Sequence, residues 1–146
     1  MSNVREDMKK SDVLLVVVSI VTLIAICLIS MPYIFIGPPL PLFSIYNNDI
    51  NEHEVVIEIF DSNNESVFKQ TYEMAPEAMI SQSKPVWLLL QLSIPPGNEE
   101  NYTFKVNLDN NVTNTHQIGL QVWVMADIML YEDNTENPIS IGVSVV

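Results

Sequence analysis

Cysteine, glycine and positive charge are scarce in this sequence. Its one cysteine, Cys27, excludes a disulfide within the chain, so a folded domain has to be held by core packing, a metal or partners. Its four glycines leave few sharp turns for an active site. The sequence has no phosphate-binding glycine loop, no serine-nucleophile elbow and no H-E-x-x-H motif. These absences favour a protein that is not an enzyme and that carries no cofactor.

The scarcity of positive charge is uneven along the chain. In the first twelve residues Arg5, Lys9 and Lys10 are cancelled by three acidic residues, so the net charge of −12 belongs to the rest of the chain. The basic residues there are Lys69, Lys84 and Lys105. So acidic a region should not bind nucleic acid or anionic lipid headgroups by charge. Solubility accounts for this acidity, and a basic protein partner is the alternative.

One long apolar segment runs from Val13 to Ile36 without a charged residue. About 20 helical residues cross the roughly 30 Å hydrocarbon layer of a bilayer. A buried helix of a soluble domain would be amphipathic, whereas this segment is apolar all round. A cleaved signal peptide would be shorter, and Ala25-Ile26-Cys27 is a poor cleavage site. The segment therefore predicts a transmembrane helix at residues 13–36, with the lipid bilayer as a partner.

The flanks of this segment predict its orientation and its end. Basic residues precede it, and the next one along the chain is Lys69. The positive-inside rule then places a tail of residues 1–12 in the cytoplasm and the remaining chain outside. Gly37-Pro38-Pro39 and Pro41 exclude further helix and predict a proline-rich stalk at residues 37–45. Phe43 to Tyr46 either form a first edge strand or remain part of the stalk.

After the stalk, apolar residues alternate with polar ones, as in half-buried strands. Residues 53–60 and 66–74 flank the polar turn 61–65 and predict a hairpin. Further strands are predicted at 86–94, 102–108, 118–124 (with 128–131 as its continuation after a bend) and 139–145. The chain at 46–146 thus indicates about seven strands and a mainly β, antiparallel sandwich. Because the paired cysteines of antibody domains are missing, a fibronectin-like or other immunoglobulin-like sandwich fits better.

Two kinds of metal site are conceivable in this domain. His53 and His116 each begin a strand, but a zinc site needs three or four ligands and the domain has no cysteine. The candidate calcium ligands are Asp61, Asn63 and Glu65, because oxygen ligands at alternate positions suit calcium. Ser66 replaces the loop glycine and Tyr72 the final glutamate, which favours a plain turn. We therefore expect no metal and no catalytic residue.

Three sequons provide candidate glycosylation sites. They begin at Asn64, Asn101 and Asn111 and match N-x-[ST]. Such sites are modified on surfaces outside the cytoplasm. They agree with the orientation that the positive charges predict.

In this layout the chain resembles archaeal single-pass surface proteins of uncharacterised function, which carry an immunoglobulin-like sandwich outside one N-terminal helix. The resemblance covers the whole layout and the Asn-rich, acidic composition. We expect a membrane-anchored domain for binding, adhesion or an accessory role beside a protein partner at the cell surface. The alternative is a pilin-like filament subunit, since Lys9-Lys10-Ser11 resembles the processing site of archaeal pilins.

Overall fold

The computed structural model describes residues 10–35, 37–93, 101–131 and 137–146; in the first range it describes the side chains of residues 12–28 and Ser30. The chain divides into two compact units, Met1–Pro38 and Pro39–Val146. Most of the predicted cytoplasmic tail and Ile36, the last residue of the predicted transmembrane segment, lie outside the described residues.

The first unit contains helix α1, Lys10–Phe35. Asp12 lies in its first turn, where a carboxylate interacts favourably with the helix dipole. The Thr22 hydroxyl donates to the carbonyl of Val18, 2.9 Å away, which satisfies it within the helix. The helix continues past Pro32, and Gly37 follows with a φ of 105°, a conformation that glycine adopts readily. Within the part of the chain that the structure describes, no helix is both long and apolar enough to cross a membrane.

The second unit is mainly β, with eight strands in its described residues. They are β1 Phe43–Asn47, β2 His53–Phe60, β3 Ser66–Met74, β4 Met79–Gln82, β5 Asn101–Leu108, β6 Val112–Gly119, β7 Val124–Leu130 and β8 Ile139–Val145. One short helix, α2 Val86–Ser93, lies between β4 and β5. The strands form two four-stranded sheets, which we call sheet A, in the order β4-β1-β7-β8, and sheet B, in the order β3-β2-β5-β6. This arrangement is consistent with a β-sandwich.

The core lies between the sheets and draws on both. Its largest fully buried side chains include Phe43 and Ile128 from sheet A, and Ile57, Tyr102 and Phe104 from sheet B. Burying one such side chain stabilises a fold by about 1.5–3 kcal/mol. Phe43 packs edge-on against Phe68 and Tyr72, with ring centroids 5.6 and 6.1 Å apart. The two sheets therefore share one continuous apolar core.

Strands β2, β3 and β5 of sheet B follow the sequence prediction closely, whereas β6 begins at Val112, before the predicted strand 118–124. The predicted hairpin pairs His53 with Met74 and Ile59 with Phe68. The inward rows of β2 and β5 are buried at every second residue, and they comprise Val55, Ile57, Ile59, Tyr102, Phe104, Val106 and Leu108. The predicted alternation is confirmed here because each strand has one face on the core and one in solvent.

Sheet A corrects the prediction in three ways. First, β1 begins inside the predicted stalk 37–45 and is a central strand, with Leu42, Phe43 and Ile45 in the core. Second, β1 pairs in parallel with β7, from Phe43 and Ala126 to Asn47 and Leu130, so the sandwich is not wholly antiparallel. Third, the predicted strand 118–124 breaks at a turn between β6 and β7, although the predicted inward residues of this segment are buried.

The segment Val86–Ile94 was predicted as a strand, and this was wrong. Residues 86–93 form helix α2, and Ile94 lies outside the described residues. A run that is apolar at nearly every position satisfies the helical period as well as the strand period. Leu88 is buried in the core and Leu92 packs against it, so one face of the helix packs on the core.

The predicted inward row of β8 is only partly buried. Ile139 is buried and Ile141 half-buried, but Val143 and Val145 are exposed. The Asn114 amide donates to the carbonyl of Ile139, 2.8 Å away, which joins sheet B to the buried half of β8. The strand therefore leaves the core towards its C-terminal half.

The two ends of the sandwich contain different parts of the chain. The chain enters the second unit next to Leu40 and Phe43, and Gln82, Val124 and Val145 lie at the same end. The opposite end contains Asn47, His53, Leu108 and Leu130. We call the first the entry end and the second the far end.

Candidate functional site

The far end of the sandwich holds a histidine between two carboxylates. His53 is the first residue of β2 and is 8% exposed. Its Nδ1 lies 2.7 Å from Oδ2 of Asp109, and its Nε2 lies 2.8 Å from Oδ2 of Asp49. Tyr131 stacks on the imidazole, with ring centroids 4.9 Å apart. We call these four residues the His53 cluster.

Local backbone contacts fix the two carboxylates of this cluster. Asp109 lies in the β5–β6 turn at a φ of 50°. Its backbone N–H donates to the carbonyl of Glu54, and its Oδ1 accepts from the N–H of Glu54, at 2.8 and 2.9 Å. Asp49 lies in the β1–β2 loop and donates its N–H to Oδ1 of Asn47, 3.0 Å away. Each carboxylate is therefore positioned by main-chain hydrogen bonds before it contacts the imidazole.

Asn47, in turn, anchors the loop that carries Asp49. Its side chain is 1% exposed, and its Nδ2 lies 2.9–3.2 Å from the carbonyl oxygens of Asn51, Met74 and Ala75. A buried amide that lost these acceptors would be destabilising by about 1–3 kcal/mol. Asn47 thus joins β1, the β1–β2 loop and the end of β3.

The charges of the cluster favour the imidazolium form. Burial lowers the pKa of His53, but the hydrogen bonds to Asp109 and Asp49 outweigh it and raise that pKa above its ordinary value of 6.5. The hydrogen bonds from His53 and Asn51 lower the pKa of Asp49. Burial, together with the nearby charges of Asp109 and Asp49, raises the pKa of Tyr131. Both ring nitrogens can donate only when the ring is protonated.

This arrangement limits the chemistry of His53. A general base needs a free ring nitrogen within reach of the proton that it takes. Both nitrogens of His53 already contact carboxylate oxygens, and the ring is buried. The cluster is thus suited to holding the far-end loops together.

A second buried cation, Lys84, lies at the entry end. It is 6% exposed, and its Nζ contacts four backbone carbonyl oxygens. These belong to Leu40 at 2.7 Å, Pro41 at 2.8 Å, Val124 at 2.8 Å and Val122 at 3.3 Å. Burial lowers the pKa of Lys84 to about 8. We call this arrangement the Lys84 cage; it connects the chain entry, the β6–β7 turn and the segment before α2.

The outer face of sheet B forms an open polar groove with a volume of about 430 Å³. Its lining combines acidic, basic and neutral polar side chains with one valine: Glu54, Val56, Glu58, Lys69, Thr71, Lys105, Asn107 and Asn110. The Lys and Arg residues after residue 10 are Lys69, Lys84 and Lys105. Lys84 is buried, whereas Lys69 and Lys105 are exposed and line this groove.

Contacts within the groove engage some of its polar side chains. Lys69 Nζ lies 3.5 Å from Oε1 of Glu58, and the Asn110 amide donates to Oε1 of Glu54 at 3.0 Å. Among the described residues, Oδ1 of Asn107 is buried and accepts no hydrogen bond. Such a groove offers donors, acceptors and both signs of charge to a polar partner.

The candidate calcium ligands lie in the β2–β3 hairpin turn. Oδ1 of Asp61 accepts from the N–H groups of Asn63 and Glu65 at 2.9 and 2.8 Å. The Asp61 N–H donates to the Glu65 carbonyl at 3.0 Å. These hydrogen bonds account for the acidic residue at this turn position. In the described ranges, no group of three or more His, Cys, Asp and Glu side chains is arranged to hold a metal ion.

The remaining candidates lie apart from the cluster. His116 is exposed on β6 opposite Phe104, and the structure does not bring it to His53. The three sequon asparagines, Asn64, Asn101 and Asn111, are all exposed. Sequence reasoning placed His53 at a strand start but missed its partners, because Asp109 is distant in sequence. It missed Lys84 entirely, since a lysine before a proline is ordinary in a loop.

No family model matches the chain, and no curated protein matches it.

Proposed function

We propose that the protein is a single-pass membrane protein in which α1 anchors the acidic β-sandwich outside the cytoplasm. One observation carries the proposal: the large apolar side chains described in α1, from Val13 to Leu28, are all 42–66% exposed. A helix that presents apolar side chains on every face requires an apolar environment. A lipid bilayer supplies one.

The length of α1 suits this role when its whole backbone is counted. Its 26 residues give a helix of about 39 Å, against a hydrocarbon layer of roughly 30 Å. The side chains described from Asp12 to Leu28 cover less than a full span, so the proposal also draws on residues 29–35. These continue the helix and carry no charge. The basic residues before α1 favour a cytoplasmic N-terminus.

For the sandwich we propose a non-enzymatic role in binding, adhesion or support of a surface complex. The polar groove on sheet B supports a binding role, because its side chains leave donors and acceptors for a partner. The engaged nitrogens of His53 support the non-enzymatic part. Two four-stranded sheets around one core support an immunoglobulin- or fibronectin-like class, and the layout resembles that of archaeal surface proteins.

The anchor is tested by membrane fractionation of cells that express the full chain. We expect the protein to float with membranes and to remain there after alkaline carbonate extraction. In intact cells, added protease should remove the sandwich while a tag placed before residue 1 stays protected. Release of the protein by carbonate would refute the anchor. Protection of the sandwich from added protease would refute its orientation.

The pilin-like alternative is decided by the mass of the mature protein. Lys10 and Ser11 lie in the first turn of α1, where a processing enzyme would have to cut. Retention of residues 1–11 excludes the filament alternative. Their loss, together with filaments in micrographs, would replace the single-pass proposal.

A further inference from the structure

The exposed apolar side chains of the second unit gather at one end of it. In its described residues, the large ones are Ile50, Met79, Val86, Trp87, Leu90, Val143, Val145 and Val146. All except Ile50 and Met79 belong to α2 or to the end of β8 and the residue after it. Val145 pairs with Val124 at the entry end, and α2 begins two residues after Lys84, whose cage is at the entry end.

Helix α2 has one face in the core and another without cover. Leu88 is 2% exposed, whereas Val86, Trp87 and Leu90 are 73%, 48% and 59% exposed. A short helix that is apolar all round is normally enclosed. Trp87 combines a large apolar ring with an N–H donor, which is the side chain that membrane interfaces favour.

Acidic residues are missing from the chain segments that build this end of sheet A. The sequence has no Asp or Glu at 37–42, 82–93, 120–124 or 143–146, the segments at the entry end of sheet A and in α2, although the net charge is −12. Glu99 and Glu100 directly precede β5 of sheet B. Asp127, in the middle of β7, is half-buried and accepts a hydrogen bond from the Ser144 hydroxyl. Asp61 and Glu65, in the β2–β3 hairpin, lie at the same end of sheet B. The region without acidic residues therefore belongs to sheet A, which contains β1 and β8 and is the sheet that the chain enters first.

The connection to α1 is short. Residues 36–39 separate Phe35, the last residue of α1, from Leu40. Five residue steps span at most about 18 Å when fully extended. If α1 spans a bilayer, Leu40 and the entry end stay close to the lipid headgroups.

We propose that the acid-free entry end of sheet A is a membrane-contact surface, in which Val86, Trp87 and Leu90 of α2 insert into the lipid interface. The occupant is the bilayer that α1 spans, so this inference rests on the anchor proposed above. The contact orients the sandwich, with α2 towards the lipid and the His53 cluster away from it. The polar groove then lies to the side, open to partners.

The test uses the full chain in phosphatidylcholine vesicles with brominated acyl chains, which quench tryptophan on contact. The sequence contains two tryptophans, so Trp123→Phe leaves Trp87 as the only one. The matched control is Ile50→Trp in a Trp87→Phe, Trp123→Phe background, because Ile50 is 81% exposed in the far-end loop. We expect brominated lipid to quench Trp87 at least twofold. The single tryptophan of the control should escape the lipid quencher and be quenched by aqueous iodide instead.

Flotation of the same vesicles separates this inference from the proposed function. If the protein does not float, the anchor itself fails. If it floats and Trp87 is quenched no more than the control, the membrane-contact surface is refuted. The Trp87 emission could instead shift with protein density in the vesicles and show no quenching by lipid. That result would mean that a second copy of the chain covers α2, and it would also refute the membrane-contact surface.

A second label covers the case in which Trp123→Phe fails to fold. Leu90→Cys in a Cys27→Ser background carries a spin label, with Ile50→Cys as its control. Higher accessibility to oxygen than to a polar nickel complex at residue 90, and the reverse at residue 50, is the expected result. Equal accessibility profiles at the two positions contradict the proposal.

Discussion

The two buried cations of the sandwich, Lys84 and His53, are contacted by different kinds of groups. At the entry end, the contacts of Lys84 with the described residues are all to backbone carbonyl oxygens, whereas at the far end His53 lies between two carboxylates. Burial lowers the pKa of Lys84 to about 8, while the carboxylates raise the pKa of His53. Two carboxylates therefore outweigh the cost of burying the His53 imidazolium, whereas the carbonyl dipoles around Lys84 do not outweigh the cost of burying its ammonium.

Removing the Lys84 ammonium should have the largest effect. Lys84→Met keeps the aliphatic stem but leaves the carbonyls of Leu40, Pro41 and Val124 without this donor. Buried acceptors without partners are destabilising by about 1–3 kcal/mol, so we expect a loss of about 3 kcal/mol in the free energy of unfolding. Unfolding of the detergent-solubilised chain in guanidinium measures this loss in the free energy of unfolding. Lys69→Met, on an exposed lysine, should change it by less than about 0.5 kcal/mol; equal losses would contradict the cage.

Removing the imidazole should have a smaller effect. His53→Phe preserves a ring against Tyr131 but leaves two partly exposed carboxylates facing each other. We expect a loss of about 2 kcal/mol, because water can reach part of each carboxylate. The matched control is His116→Phe, on an exposed histidine. If the two substitutions are equivalent in the same unfolding assay, the cluster does not stabilise the far end.

The pH dependence of stability should separate the two ends by the sign of its slope. The folded pKa of His53 exceeds the ordinary 6.5, so its stabilisation is complete below pH 6.5 and is lost as pH rises through the folded pKa. For Lys84 the folded pKa of about 8 lies below 10.5, so the unfolded chain binds more protons between these values and stability rises with pH there. Unfolding at a series of pH values should show both slopes.

Each substitution should remove one slope and leave the other. His53→Phe should abolish the decrease above pH 6.5, and Lys84→Met should abolish the increase between about 8 and 10.5. If one substitution removes both slopes, the two ends are coupled and the assignment of each slope to one residue is wrong.

Sequence reasoning succeeded where one face of a strand is buried and the other is solvated. The alternation in β2 and β5 is strict, so it specifies both the strand and the inward residues. It failed where that contrast disappears. Helix α2 is apolar at almost every position, and β1 is a central strand whose short sequence follows several prolines.

The buried cations were harder to predict for a different reason. The partners of Lys84 are main-chain carbonyl groups, which every residue has, so no residue type reveals them. The partners of His53 come from the β1–β2 loop and from the β5–β6 turn, and only the register of β2 against β5 brings Asp109 to it. A sequence pattern within one segment contains neither piece of information.

The parallel pairing of β1 with β7 has a consequence for the order of folding. Sheet B is built from hairpins between β2 and β3 and between β5 and β6, with β2 beside β5, so most of its contacts are comparatively local. Strand β1 can pair with β4 earlier, but its parallel partner Ala126–Leu130 is synthesised long after Phe43–Asn47. Contacts between distant segments form slowly because the chain loses more entropy in closing the loop. During synthesis, β1 would therefore emerge first among the strands and gain β7, its second neighbour, near the end.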